Sequence, residues 1–222
     1  MDGAASRPSR LQVMLLKPLL VKFRRQPMHP VTVYNMPELS TQEKSLFGAR
    51  DHVYGEITGF RALATACGLA PADSFVDLGS GLGTVVLQAA EEFSVRRACG
   101  VELAPSRHRL AVAARSAASK DVRSRSVFVQ GDIGDPKIST FLQEARTVVW
   151  LSNLLYEETL VRRIVRQIEA APTVRVVAAL RPIVDGMDGF VADPSTVLCQ
   201  MSWEWHPCTI YRRVPTTIPA LR

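Results

Sequence analysis

No segment of the 222-residue chain approaches the roughly 18 uninterrupted apolar residues that a membrane-spanning helix needs, so no membrane partner is expected. Cysteine is scarce: Cys67, Cys99, Cys199 and Cys208 are the full set, and no two have Cys-x-x-Cys spacing. That pattern is not a secreted disulfide framework, and it leads us to expect reduced, mostly buried thiols in an intracellular protein. Trp205-His206-Pro207-Cys208 offers two potential ligands, too few for a metal site, so no metal is expected. Thirteen glycines and fourteen prolines form no low-complexity tract. With 47% hydrophobic and 22% charged residues, the composition disfavours disorder, collagen and coiled coil. A chain of this length has room for one large domain, or a domain with a short arm.

Acidic residues are nearly missing from the first 37 positions. Arg7, Arg10, Lys17, Lys22, Arg24 and Arg25 face Asp2 alone, so this stretch carries +5 of the total +6 and residues 38–222 carry +1. A near-neutral globule with a basic arm is therefore expected, the arm over residues 1–30 and one domain over residues 31–222. Such an arm suits a polyanion, most often nucleic acid. A solvated arm or an organelle-targeting peptide has the same composition, and charge alone leaves these open. A secretory signal fits poorly, because Lys17, Pro18 and Lys22 interrupt the apolar run from Leu11 to Phe23.

Prolines at 8, 18, 27, 30 and 37 rule out one long N-terminal helix. From about residue 57, short apolar runs alternate with helical periods. Helices are expected over Ile57–Cys67, Leu82–Phe93 and Glu157–Ala170, with a further one opened by Pro105 and Ser106. In the third of these ranges, Leu160, Val161, Ile164, Val165 and Ile168 share one face. Strands are expected over Ser74–Leu78, Arg97–Leu103, Ser126–Gln130, Thr147–Leu151, Thr173–Leu180, Val197–Trp203 and Cys208–Arg213. This alternation predicts an α/β fold with a mostly parallel seven-stranded sheet and helices on both faces.

Two phosphate-binding signatures are absent. Asp77-Leu78-Gly79-Ser80-Gly81-Leu82-Gly83 follows the first strand, but position 84 is Thr, so Gly-x-Gly-x-x-Gly is not met. No Gly-Lys-Ser/Thr follows either, which excludes a P-loop. What the segment does have is an aspartate two residues before its first glycine. Gly79 and Gly81 let the backbone approach a ligand, and helix-terminal amides suit a carboxylate, while Asp77 suits an ammonium. Those two demands describe the amino-acid end of S-adenosylmethionine. Glu102, 25 residues on, ends the second strand where an acid accepts both hydroxyls of an unphosphorylated ribose. Asp132 follows the third strand, placed to accept from an adenine amino group. Each alone would pass for a solvated strand-end acid. Together, at the ends of consecutive strands, they point to a class I S-adenosylmethionine-dependent methyltransferase with a Rossmann-like fold. Trp150-Leu151-Ser152-Asn153-Leu154-Leu155-Tyr156 ends the fourth strand, where polar Ser152 and Asn153 suit a nitrogen nucleophile.

Four segments, in order, resemble the disruptor-of-telomeric-silencing family of non-SET histone lysine methyltransferases. They are Val33-Tyr34-Asn35, Val53-Tyr54-Gly55-Glu56, the run FVDLGSGLGTVVLQ from Phe75 to Gln88, and Met201-Ser202-Trp203. The resemblance implies that Glu56 and Asp77 hold the methionine ammonium of the cofactor, Glu102 the ribose, and Asp132 with Ile133 the adenine. Tyr54 belongs to the same loop signature, and Thr84 stands where the family has glutamine. Ser152 and Asn153 lie where the family has Asn-Asn, followed by channel residues that here include Leu154 and Tyr156. Trp203 would line the lysine channel. Ile210 occupies the register of a late channel tyrosine, with Tyr211 beside it. The implied activity is methyl transfer from S-adenosylmethionine, leaving S-adenosylhomocysteine, to a lysine in the core of histone H3 within nucleosomes. It implies a nuclear location and contact of the basic arm with nucleosomal DNA. The alternatives are methylation of a non-histone lysine, including a mitochondrial one, and a catalytically weak nucleosome-binding scaffold.

Overall fold

The computed structural model describes residues 38–47 and 57–215, which belong to one compact unit, Pro37–Arg222. The expected arm over residues 1–30, Val33-Tyr34-Asn35 and Val53-Tyr54-Gly55-Glu56 lie outside the described residues.

Five parallel strands form the centre: β1 (Ser74–Leu78), β2 (Arg97–Glu102), β3 (Ser126–Gln130), β4 (Thr147–Leu151) and β5 (Val174–Ala179). They are followed by β6 (Phe190–Ala192), β7 (Val197–Gln200) and β8 (Trp205–Arg213). The continuous path has seven strands in the order β3-β2-β1-β4-β5-β8-β6, with β8 antiparallel to both neighbours. β7 stands off that path and pairs with the first half of β8.

The helices are α1 (Thr41–Leu46), α2 (Phe60–Ala66), α3 (Thr84–Glu92), α4 (Pro105–Ala117), α5 (Lys120–Arg125), α6 (Ser139–Leu142) and α7 (Glu158–Glu169). Two single turns of tighter helix cover Pro136–Ile138 and Asn153–Leu155.

Strand alternation divides the core in two. Phe75, Val148, Trp150, Val176 and Ile210 face one side, where Phe60 and Leu63 of α2 and Val86 and Ala89 of α3 cover them. Val76, Leu78, Val149, Leu151 and Val177 face the other side, beneath Leu160, Ile164 and Ile168 of α7. The stripe read from the sequence at 160, 161, 164, 165 and 168 is buried in full. Each such aliphatic side chain contributes about 1.5–3 kcal/mol on burial, so α7 is held by its stripe far more than by helix propensity. Away from the carboxyl ends, buried Asp73 accepts from Ala70 N, from Arg146 and, through both oxygens, from Arg175. This cluster locks the entry to β1 against β5. All four cysteines are buried and unbridged.

The expected elements differ from the observed ones at defined places. The helix expected from Ile57 starts at Phe60, because Thr58 N and Gly59 N both donate to Gln200 O, at 2.8 and 3.0 Å. Ile57 instead makes a β-bridge with Met201. The strand expected over Val197–Trp203 stops at Gln200, where Met201 N donates to Glu204 O and the chain turns. The last strand begins three residues earlier than expected, at Trp205. β6 is an additional element. Its three residues, with Val191 61% exposed, carry no apolar alternation for a sequence reading to find.

The Glu43 carboxylate ties residues 38–47 to α4, where Arg107 also lies over the Phe47 ring. Ser40 and Glu43 close a capping box on α1: Glu43 N donates to Ser40 Oγ, and Ser40 N donates to Glu43 Oε2. The other oxygen of Glu43 accepts from Ser106 N at 2.6 Å, in the first turn of α4. Ser106, through its neighbouring hydroxyl first and its backbone N–H second, holds the Glu43 carboxyl at about 2, below its ordinary 4.5. A depressed carboxylate stabilises the fold fully above its unfolded value and loses that contribution as pH falls through the folded value. Anchoring of α1 on α4 is therefore expected to weaken between pH 4.5 and 2. In Glu43→Gln the decline of the urea midpoint across that window should be shallower than in the parent. Equal slopes in both proteins would show that Glu43 does not carry this pH dependence.

Candidate active site

The order β3-β2-β1-β4 puts β1 between two neighbours reached by crossovers on opposite sides, and the crevice opens where the order reverses. Register sets the level of that crevice. Leu78 pairs with Val101 on one side and Leu151 on the other, so residues after these positions all emerge at one edge. Asp77, Glu102, Asp132 and Asn153 come from four consecutive strand ends there.

The glycine turn is fastened to β2. Gly79 N and Ser80 N both donate to Val101 O at 2.9 Å, and Gly83 N donates to Ser80 O at 2.8 Å. Gly83 caps α3 in the left-handed conformation, φ 79°, and a Cβ there would lie 2.4 Å from the Phe128 ring. The helix that begins at Thr84 therefore starts two residues later than Leu82. Ser80 Oγ and Thr84 Oγ1 are buried with no hydrogen-bond partner among the described residues. Uncompensated hydroxyls at a glycine turn fit a site that receives a polar ligand.

Glu102 is 5% exposed, and its oxygens are oriented by two backbone donors, Gly81 N and Ala104 N, each at 2.8 Å. The carboxylate thus stitches the turn after β1 to the turn after β2 and keeps lone pairs for a further donor. Gly131 N donates to Glu102 O, which brings the segment after β3 alongside. There Asp132 Oδ1 accepts from Gly134 N at 2.8 Å, forming a local Asx turn. Ile133 is buried, and its carbonyl accepts from Gln167 of α7. Asp77 is 3% exposed on the face opposite Leu78.

After β4, Ser152 and Asn153 open a single helical turn. The Asn153 amide engages backbone through one N–H and one lone pair: Nδ2 donates to Arg181 O and Oδ1 accepts from Arg181 N, both at 2.9 Å. It extends the β4–β5 pairing by one side-chain rung beyond the strands. Ser152 makes no side-chain bond to the turn it precedes. Tyr156 reaches back over the glycine turn, its hydroxyl donating to Leu78 O at 2.8 Å. Burial, and then the nearby Asp77 and Glu102 carboxylates, push the Tyr156 phenol well above its ordinary value, so it stays a donor.

The remaining expected residues separate into two groups. Trp203 sits in the β7–β8 turn, 44% exposed, on the hairpin that holds residues 57–59. Tyr54 and Glu56 lie outside the described residues, just before that attachment. Tyr211 is not brought to the crevice. It pairs with Val177 inside β5, packs in the α7-side core, and accepts from Ile183 N at 2.8 Å. Arg181, which was not among the expected residues, belongs at the crevice edge: its Nη2 donates to Tyr156 O at 2.7 Å. Leu180-Arg181-Pro182 offered only a basic residue before a proline as a signal.

A Rossmann-like sheet in this order, with acids at consecutive strand ends around a glycine turn, defines the class I S-adenosylmethionine-dependent methyltransferase fold. S-adenosylmethionine is the methyl donor that goes with this class. Residues 43–186 match the family described as histone methylation protein DOT1, and the chain belongs to that family. Over 102 residues it is 31% identical to a histone-lysine N-methyltransferase, H3 lysine-79 specific, of Caenorhabditis elegans. That alignment takes in 43% of this chain and 11% of the relative, so the chain spans about a tenth of the relative's length. Among solved structures, TrmN from Thermus thermophilus superimposes with a TM-score of 0.57 at 19% identity, over 69% of this chain and 48% of that one. The methyltransferase domain of a bacterial CtHen1 gives 0.52 at 11% identity, over 70% and 95%. At these identities the likeness is one of fold.

Asn153→Ala would leave the Arg181 N–H and C=O without their side-chain partners. A loss of about 2–3 kcal/mol is expected, from two bonds at a buried site. Asn153→Asp keeps the acceptor but sets a buried carboxylate oxygen against Arg181 O, so it should lose at least as much. Urea unfolding of the three proteins checks the order; an Asn153→Ala midpoint equal to the parent's would show that the rung is dispensable.

Proposed function

We propose that the protein transfers a methyl group from S-adenosylmethionine to a lysine in the globular core of histone H3 within nucleosomes, and that it works in the nucleus. The observation that carries this reading is the meeting of Asp77, Glu102 and Asp132 around the glycine turn in a chain of the histone-methylation family. Asp77, with Glu56, would hold the methionine ammonium. Glu102, already oriented by two amides, would accept from the ribose hydroxyls. Asp132 and the Ile133 side chain would take the adenine, the first by hydrogen bonding and the second by apolar contact. Tyr54, Gly79, Gly81 and Thr84 complete the cofactor set.

The bound sulfonium supplies an electrophilic methyl and leaves as S-adenosylhomocysteine. Work by the protein lies in preparing the amine. A lysine of ordinary pKa near 10.4 costs about 4–5 kcal/mol to deprotonate at neutral pH. A channel walled by Leu154, Tyr156 and Trp203 lowers that cost by disfavouring the charged form, with the proton leaving to water. Ser152 and the second lone pair of Asn153 Oδ1 would orient the neutral amine, with Arg181 holding the Asn153 amide in place. Alignment of amine and methyl then supplies much of the acceleration.

The decisive experiment incubates the protein with labelled S-adenosylmethionine and either free histones or nucleosomes, then maps the modified residue. Label on a core lysine of histone H3, with nucleosomes preferred, is the expected result. Label confined to other proteins would overturn the substrate assignment. Asp77→Ala and Glu102→Ala should each lower S-adenosylmethionine affinity at least tenfold in calorimetry. Near-normal affinity in either variant would remove that residue from the cofactor set.

The +5 of residues 1–37 fits a tether to nucleosomal DNA. Each phosphate contact lowers log affinity by about 0.9 per log unit of salt. Deleting residues 1–30 should weaken nucleosome binding and flatten its salt slope while leaving S-adenosylmethionine affinity unchanged. An unchanged slope would exclude the tether.

A further inference from the structure

Tyr156 is held at three points. Its N–H donates to Asn153 O at 3.2 Å, its carbonyl accepts from Arg181 Nη2 at 2.7 Å, and its hydroxyl donates to Leu78 O at 2.8 Å. The first two attachments belong to the ends of β4 and β5, and the third to the end of β1. The side chain therefore straps the acceptor side of the crevice to the donor side.

The hydroxyl also occupies the space beside Gly79. A Cβ built at that glycine would lie 2.0 Å from Tyr156 Oη and 3.3 Å from Cζ, and Gly79 has φ +99°. Both the left-handed backbone and the lack of a side chain are thus required for the tyrosine to sit where it does. Leu78 O is the last carbonyl of β1, and the next two amides, of Gly79 and Ser80, fold onto Val101 O. A donor on Leu78 O fixes the peptide plane that aims those amides. A phenylalanine would fill the same volume without that donor.

We propose that Tyr156 is a positioning residue of the glycine turn, whose hydroxyl fixes the Leu78–Gly79 peptide and thereby the methionine end of the cofactor site. Its ring serves the amine channel, while its hydroxyl serves the donor side. The assignment rests on the reading of this crevice as the S-adenosylmethionine site.

Tyr156→Phe in the full chain tests it by two readouts. The first needs no ligand: amide hydrogen exchange over Leu78–Gly81 should accelerate about tenfold, with exchange in α7 unchanged. The second is a split in the Michaelis constants. KM for S-adenosylmethionine should rise about five- to tenfold, while KM for nucleosomes stays within twofold. Exchange unchanged over Leu78–Gly81, or a rise in the nucleosome KM alone, would overturn the proposal and leave Tyr156 as channel wall only. If the parent proved unable to bind S-adenosylmethionine, the functional reading would fail, and the exchange result would still decide the clamp.

A second comparison guards against a folding defect. Gly79→Ala carries the same backbone strain in either background, but the added methyl meets Tyr156 Oη only in the parent. Gly79→Ala should therefore lower the melting temperature less in Tyr156→Phe than in the parent. Equal losses in both backgrounds would also overturn the contact.

Discussion

Parallel pairing of β1 with β2 on one side and β4 on the other is the constraint on which the rest of the structure depends. The register Leu78–Val101 and Leu78–Leu151 brings three strand ends to one level. Backbone groups past those ends no longer have ladder partners and must be satisfied by turns and side chains. The glycine turn answers that need by folding its amides onto Val101 O, Asn153 by bridging to Arg181, and Tyr156 by covering Leu78 O. The same groups that solve a backbone problem thus line the crevice.

Electrostatics follow from this geometry. Asp77 and Glu102 are nearly buried carboxylates close to one phenol, and together with burial they keep that phenol protonated. Glu102 is stabilised by two amides of fixed direction. Charge concentrated at one edge of a sheet suits a cofactor that brings an ammonium and hydroxyl donors to it. The opposite edge is built differently. Asp73 there is matched by Arg175 and Arg146 in a closed cluster that fixes the frame.

Fold class and cofactor crevice were legible in the sequence because both rest on local patterns. Ser74–Leu78, Ser126–Gln130 and Thr147–Leu151 are read to the residue, since buried parallel strands are short apolar runs bounded by turn residues. Asp77 and Glu102 needed only their places at the ends of β1 and β2, and Asp132 its place after β3. The C-terminal third was less readable. β6 is exposed, and β7 and β8 owe their limits to the Met201–Glu204 turn and to pairing with Ile57, which lies far away in sequence. Met201-Ser202-Trp203 falls at that turn, while Tyr211 goes to the core because its register with Val177 places it below the crevice.

What the sequence determined by itself was the extent of the sheet's central strands and the chemistry at their ends, for apolar period and glycine spacing are properties of neighbouring residues. Only the tertiary structure decided which polar groups remain available to a ligand. Asn153 reads as a ligand for an amine, and Arg181, 28 residues away, takes one N–H and one lone pair of its amide. Tyr156 reads as a channel aromatic, yet its hydroxyl is used by Leu78, 78 residues away. Hydrogen-bond capacity is written in residue type, but how it is spent depends on which backbone groups the folded sheet leaves unpaired.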